Sequence, residues 1–183
     1  MVPPAVISPF SRSAEARPSA RDGLALTCRI ASTPEEVAIH LQIRDRIFVE
    51  EQEFFEGSDR DLHDDDSSTI HALGLYGAHA GGAVRLYPLE EPGLWKGDRL
   101  AVLPEFRKLM GARLVRFAVK TAGERGGNLM IAHIQPQNVV FFKFLGWRPE
   151  GDLVEFQGHL HQKMAIPLQS AERAEQGRSR SGR

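Results

Sequence analysis

The sequence predicts a single mixed α/β domain, on three observations. Its 183 residues are enough to bury one core and too few for two comfortable ones. Short apolar runs of two-residue period alternate along the chain with longer runs of helical period. No internal repeat and no second apolar block interrupts them, so the strands belong to one sheet with helices packed against it.

Taken in order, "LALTCRIA" at 24–31 alternates like a strand and "STPEEVAIHLQIRDRIFVEEQ" at 32–52 reads as a helix. Thr33 and Glu36 have the spacing of a capping box, and Pro34 sits in the first turn, where its missing N–H costs nothing. Val37, Leu41, Ile47 and Phe48 supply the apolar stripe. "TIHALGLY" (69–76) and "GGAVRLYPLE" (81–90) are strand-like and joined by the glycine-bearing "GAHA", which predicts a hairpin. "DRLAVLP" (98–104) is a further strand. A helix follows, "KLMGARLVRFAVKTAGERGG", with Leu114, Val115, Ala118 and Val119 on one side and Gly126 and Gly127 as its stop. "NLMIAHI" (128–134) is a buried strand, "QNVVFFKFLGW" (137–147) a short helix ended by Gly146, and "LVEFQG" with "HQKMAIPL" a closing pair. The expected order is βα, three strands, α, β, α and two strands.

Residues 1–22 and 169–183 carry Pro, Ser, Ala and Arg without an apolar period and read as disordered tails flanking a domain at 23–168. The first tail has a net charge of +1 and the second +2, which leaves about −4 on the domain. Composition near the globular norm and an overall charge of −1 argue against disorder and against a nucleic-acid binder that works through bulk positive charge. The expected partner is a small molecule. Cys28 is the only cysteine, so neither an internal disulfide nor a cysteine-rich zinc site is possible. The opening "MVPPAVISPF" lacks the features of a signal peptide, and no run approaches the roughly 20 apolar residues of a membrane span. These features predict a soluble protein of a reducing cytoplasm.

"LAVLPEFRKLMGARLVRFAV" (100–119) places a strand, a basic turn and a helix in direct succession. The first turn of a helix has unpaired N–H groups and the positive end of the dipole, which attract phosphate. Arg107 and Lys108 add charge there, while Gly111 and Ala112 keep bulk away. The same residues equally suit an ordinary strand-to-helix turn with solvated basic side chains. The segment resembles the acetyl-CoA-binding segment of the GCN5-related N-acetyltransferase (GNAT) superfamily, and "HIQPQNVVFFKFLGW" resembles that superfamily's "FYEKLGF" helix. With "IRDRIFVEEQ" near the front, the resemblance spans about 25–167 in the right order. It implies a GNAT fold: a mixed central sheet of about six to seven strands whose fourth and fifth strands splay apart, with flanking helices. It looks closest to a bacterial acetyltransferase family linked to nitrogen starvation and nitrilase-containing clusters.

The resemblance implies acetyl-CoA as co-substrate, held by Leu100, Ala101 and Val102 on the fourth strand, by Arg107, Lys108, Met110, Gly111 and Ala112 at the turn, and by Gln135 and Phe142 beyond it. No metal is implied. The turn departs from the family pattern. With Gly111 and Ala112 at its end, Leu109 stands at the usual first glycine and the turn is one residue short. Phe142 stands where a tyrosine often protonates the leaving thiolate, and phenylalanine has no proton to give.

The acceptor implied is the amine of a small molecule, and an amine must lose a proton to attack. Candidate bases are Glu51, Asp98 and His133, each of which also suits a structural role at a helix end, a strand end or a buried hydrogen bond. His159 and His161, one strand period apart, read as structural or surface residues. "DRDLHDDD" at 59–66 is no calcium loop, since Asp64 stands where glycine is required and Ile70 where glutamate is. It is either a solvated loop or a lid that attracts a cation. Arg44, Phe48, Asp61 and Arg85 also resemble positions of the acyl-homoserine-lactone synthases, which share the fold and bind a cationic S-adenosyl substrate; these four are the expected acceptor contacts. An enzyme of that kind, or a non-catalytic acyl-CoA sensor, is the alternative to an N-acetyltransferase. The expected assembly is a monomer or a homodimer.

Overall fold

The computed structural model describes residues 25–156 and 158–169. The two tails expected at 1–22 and 169–183 therefore lie outside it, apart from Gln169. Seven strands form one sheet in the order β1-β2-β3-β4-β5-β7-β6. They are β1 (Leu26–Ile30), β2 (Ile70–Tyr76), β3 (His79–Pro88), β4 (Leu94–Val102), β5 (Leu129–Ile134), β6 (Arg148–Phe156) and β7 (His159–Pro167). Every neighbouring pair is antiparallel except β4 and β5, which are parallel and joined by the crossover helix α2 (Arg107–Glu124). The helices α1 (Pro34–Arg44) and α3 (Val139–Phe144) complete the layers. The expected order of elements is the observed one, with β4 beginning four residues earlier than the apolar run suggested.

α1 starts as its sequence requires. Thr33 Oγ1 accepts from the Glu36 amide at 3.3 Å, but the Glu36 carboxylate reaches past the cap, accepting from the Ser32 amide at 2.7 Å and from Arg29. The helix then widens into a π-helical segment, Asp45–Glu51, closed by the Gln52 amide donating to the Ile47 carbonyl at 2.9 Å. Its buried face is His40, Ile43, Arg44, Ile47 and Phe48. Two of those five are polar, so the apolar period expected from Val37 and Leu41 is only partly the buried one.

α2 packs on β2 and β3 at two glycines. A Cβ on Gly74 would lie 2.6 Å from Met110 Sδ, and one on Gly82 would lie 2.7 Å from Leu114 Cδ1. Met110 and Leu114 are both fully buried there, worth roughly 1.5–3 kcal/mol each. Both α2 and α3 end as the sequence predicted. Gly126 (φ 86°) and Gly146 (φ 92°) take the left-handed conformation, while the amides of Gly127 and Trp147 reach back to the carbonyls of Ala122 and Phe142.

Candidate active site

The site is made by two strands that part. β4 and β5 pair only at Leu94↔Leu129, Trp95↔Met130 and Lys96↔Ile131. From Gly97 onward the β5-side edge of β4 has no strand partner, and a cavity of about 490 Å³ opens in the fork. β4 carries a bulge at its mouth. Asp98 opposes Arg85 and Ala101 opposes Ala83, so Arg99 and Leu100 together face the single residue Val84. Arg99 is held at φ 51°, in the left-handed region that non-glycine residues rarely occupy.

One side of the fork rests on a network of arginines and aspartates. Arg44 Nε donates to Asp59 at 2.9 Å and its Nη2 to Asp64 at 3.0 Å. Arg85 meets Asp61 at 2.7 Å, Asp64 at 2.8 Å and Asp98 at 2.8 Å. Arg99 bridges Asp59 at 3.1 Å and Asp61 at 3.2 Å while its guanidinium lies 4.8 Å from the Phe55 ring. Arg44, Arg85 and Asp59 have essentially no exposure. Burial opposes the charge on Asp64, but hydrogen bonds from Arg44 and the Asp61 amide outweigh it and hold its carboxyl well below the usual range. The acidic loop is divided: Asp59, Asp61 and Asp64 turn inward to the arginines, while Arg60, Leu62, His63, Asp65 and Asp66 stay exposed, Arg60 paired with Asp65.

The three expected bases separate. Glu51 lies outside the cavity, exposed and paired with Arg107, so it ties the π-helical segment to the start of α2. Asp98 lines the cavity but is held by Arg85 and faces the Tyr87 hydroxyl at 3.4 Å. His133 also lines it; partial burial, with Lys96, His161 and Lys163 nearby, pushes its pKa below the ordinary value and leaves it neutral at pH 7. Cys28 is half-buried on β1, and burial pushes its thiol up, away from nucleophilic character.

Of the expected cofactor residues, Leu100, Gln135 and Phe142 line the cavity, while Ala101 and Val102 sit in the β3 ladder at its edge. At the turn, the 3-10 segment Pro104–Phe106 leads into α2 at Arg107, so Gly111 and Ala112 are the helix's fifth and sixth residues and their amides serve the helix itself. The amides that precede the first i→i−4 bond are those of Lys108 and Leu109. Met110 is a core residue with no exposure, because its position on α2 faces the sheet glycines. Arg107 and Lys108 are exposed at this helix end. Among the expected acceptor contacts, Phe48 lines the cavity, whereas Arg44 and Arg85 are buried behind it and act through Asp64, Asp98 and Asp61. Residues that sequence reasoning did not assign to the site also line it: Phe54, Phe55, Lys96, Arg99 and Trp147. His159 and His161, expected to be structural or surface residues, do so too, with the His159 ring 4.2 Å from that of Phe54. The period of a strand says which residues share a face, and no local signal says that the face borders a gap.

Among the described residues no helix is long and apolar enough to cross a membrane, and no cluster of His, Cys, Asp and Glu could hold a metal. The fold is similar to that of a putative N-acetyltransferase from Lactobacillus plantarum (TM-score 0.70, 19% identity, 79% of this chain and 99% of that one). It is similar to Escherichia coli ElaA (TM-score 0.68, 20% identity, 77% and 99%). It is similar too to BjaI, a CoA-dependent acyl-homoserine lactone synthase solved with SAM and isopentyl-CoA (TM-score 0.65, 20% identity, 87% and 90%). The model of the acetyltransferase (GNAT) family matches residues 36–147, which include the bulged β4, the crossover helix and the fork. With more than half of the chain so matched, this protein belongs to the GNAT family of acyltransferases.

Proposed function

We propose that the protein is an acyl-CoA-dependent N-acyltransferase that passes the acyl group, acetyl in the simplest case, to the amine of a small molecule by direct attack. The observation that carries this reading is the fork. The β5-side edge of β4 from Gly97 to Val102, left without a strand partner, offers hydrogen bonds to the amides of a pantetheine arm, as an added strand would. At the outer end, the first-turn amides of Lys108 and Leu109 with the charges of Arg107 and Lys108 suit a diphosphate. In the step itself the amine nitrogen bonds to the thioester carbonyl carbon, and the backbone amides at the β4 bulge, Arg99 and Leu100, would serve as donors to the developing oxyanion. Neutral His133 accepts the amine proton, directly or through a water. The C–S bond then breaks and the thiolate leaves; Phe142 offers it no proton, so protonation comes from solvent. Aspartates outnumber arginines four to three in the network beside the cavity, and this balance suits a cationic acceptor. Release of free thiol from acetyl-CoA over a panel of amines tests the proposal. Binding without release for every acceptor would leave a sensor instead.

A second reading rests on the same network and on the likeness to BjaI. The cationic acceptor would then be S-adenosylmethionine and the product a lactone. Incubation with acyl-CoA and S-adenosylmethionine, with mass detection of an acyl lactone, decides for it; amine acylation without lactone removes it.

A further inference from the structure

The cavity in the fork is polar on part of its lining and apolar on the rest; its apolar chamber is walled by Val115 and Ala118 of α2, Met130 and Ala132 of β5, and the Phe142–Trp147 ring pair, whose centroids are 5.5 Å apart. None of these six is more than 6% exposed. We propose, resting on the acyl-CoA reading above, that this chamber holds the acyl chain of the donor, and that the chain is of medium length or branched. Three features favour an aliphatic occupant.

Protein interiors pack at crystal density, so an apolar space lined by buried side chains is costly unless a ligand fills it. The chamber is kept open by small residues: Ala118 and Ala132 face it without bulk, and Gly97, whose Cβ would lie 2.9 Å from Met130 Cε, gives Met130 its place in the wall. Phe142, which cannot serve as an acid, contributes an apolar ring to that wall. Trp147 Nε1 is buried without a protein partner, and a carbonyl of the bound arm or chain would satisfy it.

The test is calorimetric titration of free CoA, acetyl-CoA, butyryl-CoA, isovaleryl-CoA and hexanoyl-CoA into the full chain, repeated with Ala118→Phe and Ala118→Leu. Affinity of the unaltered protein is expected to rise about fourfold per added methylene from acetyl to hexanoyl. Ala118→Phe is expected to flatten that rise while free CoA binds as before, with Ala118→Leu intermediate. If either variant fails to fold, as seen in its thermal melt, the profile of the unaltered protein still decides. A flat profile, or acetyl-CoA tightest of all, overturns the inference. So does a profile that survives both substitutions, since the chain must then lie elsewhere. No binding of free CoA at all would instead sink the donor reading on which the inference rests.

Discussion

Replacing Arg85 with leucine removes a cation that touches three carboxylates, Asp61, Asp64 and Asp98, at 2.7–2.8 Å. Arg85 has no exposure and Asp64 next to none, so water cannot take over the lost contacts at the centre of the network. Breaking a buried pair of this kind costs about 3–5 kcal/mol. Asp61 is 35% exposed and recovers part of its solvation, and Asp64 keeps Arg44, which places the expected loss near the middle, about 4 kcal/mol. Against a total stability of roughly 5–15 kcal/mol this is a large fraction. With a urea slope of about 2 kcal/mol per molar, the midpoint should fall by about 2 M. The loss should also depend on pH. Burial raises and arginine contacts lower the pKa values of Asp61 and Asp64, with a net result below the usual 3.8, so their stabilising effect is present above 3.8 and lost as pH falls through the folded values. The variant lacks the part of that effect that Arg85 supplies, chiefly to Asp61, so its deficit should shrink on acidification below 3.8. Urea midpoints of both proteins at pH 7 and pH 3, one on each side of 3.8, measure this. A shift under about 0.5 M at pH 7, or one of equal size at both pH values, would refute the argument that the network is a buried, mutually compensated set of charges.

Three further outcomes are expected. His133→Gln should lower kcat/KM and abolish the rise in rate between acid and neutral pH, which in the unaltered enzyme should sit below the ordinary imidazole value of 6.5 because burial and nearby cations favour the neutral ring. His40, held at a pKa of about 3 chiefly by burial and by repulsion from His71 and Arg44, binds its proton in the unfolded chain first. Stability should therefore fall as pH drops below 6.5, by up to about 1.4 kcal/mol per pH unit, and His40→Phe should flatten that slope in a series of thermal melts. A Cβ on Gly81 would sit 2.3 Å from the ring of Phe106, the residue just before α2, so Gly81→Ala should cost about 1–3 kcal/mol in urea and weaken CoA binding measured by calorimetry.

All seven strands and the three helices were legible in the chain, because strand and helix periods are local properties and the glycine stops at Gly126 and Gly146 act within one turn. So was the strand, basic turn and helix succession at residues 100–119. What lay beyond local reading were the features set by long-range pairing. The start of α2 at Arg107, one residue before the expected Lys108, puts Gly111 and Ala112 in its second turn, because the 3-10 turn at Pro104 leads straight into helix. The "DRDLHDDD" segment was visible only as charge; its burial depends on Arg44 from α1 and Arg85 from β3, 15 and 24 residues away from their partners Asp59 and Asp61. Sequence by itself determined which residues form strands and helices, because each such choice is made between near neighbours. The splay of β4 and β5 was expected from the resemblance and is observed, but only the tertiary structure decided that they part after Lys96, and so which side chains meet in the gap, because a missing pairing between two strands is a property of neither strand alone.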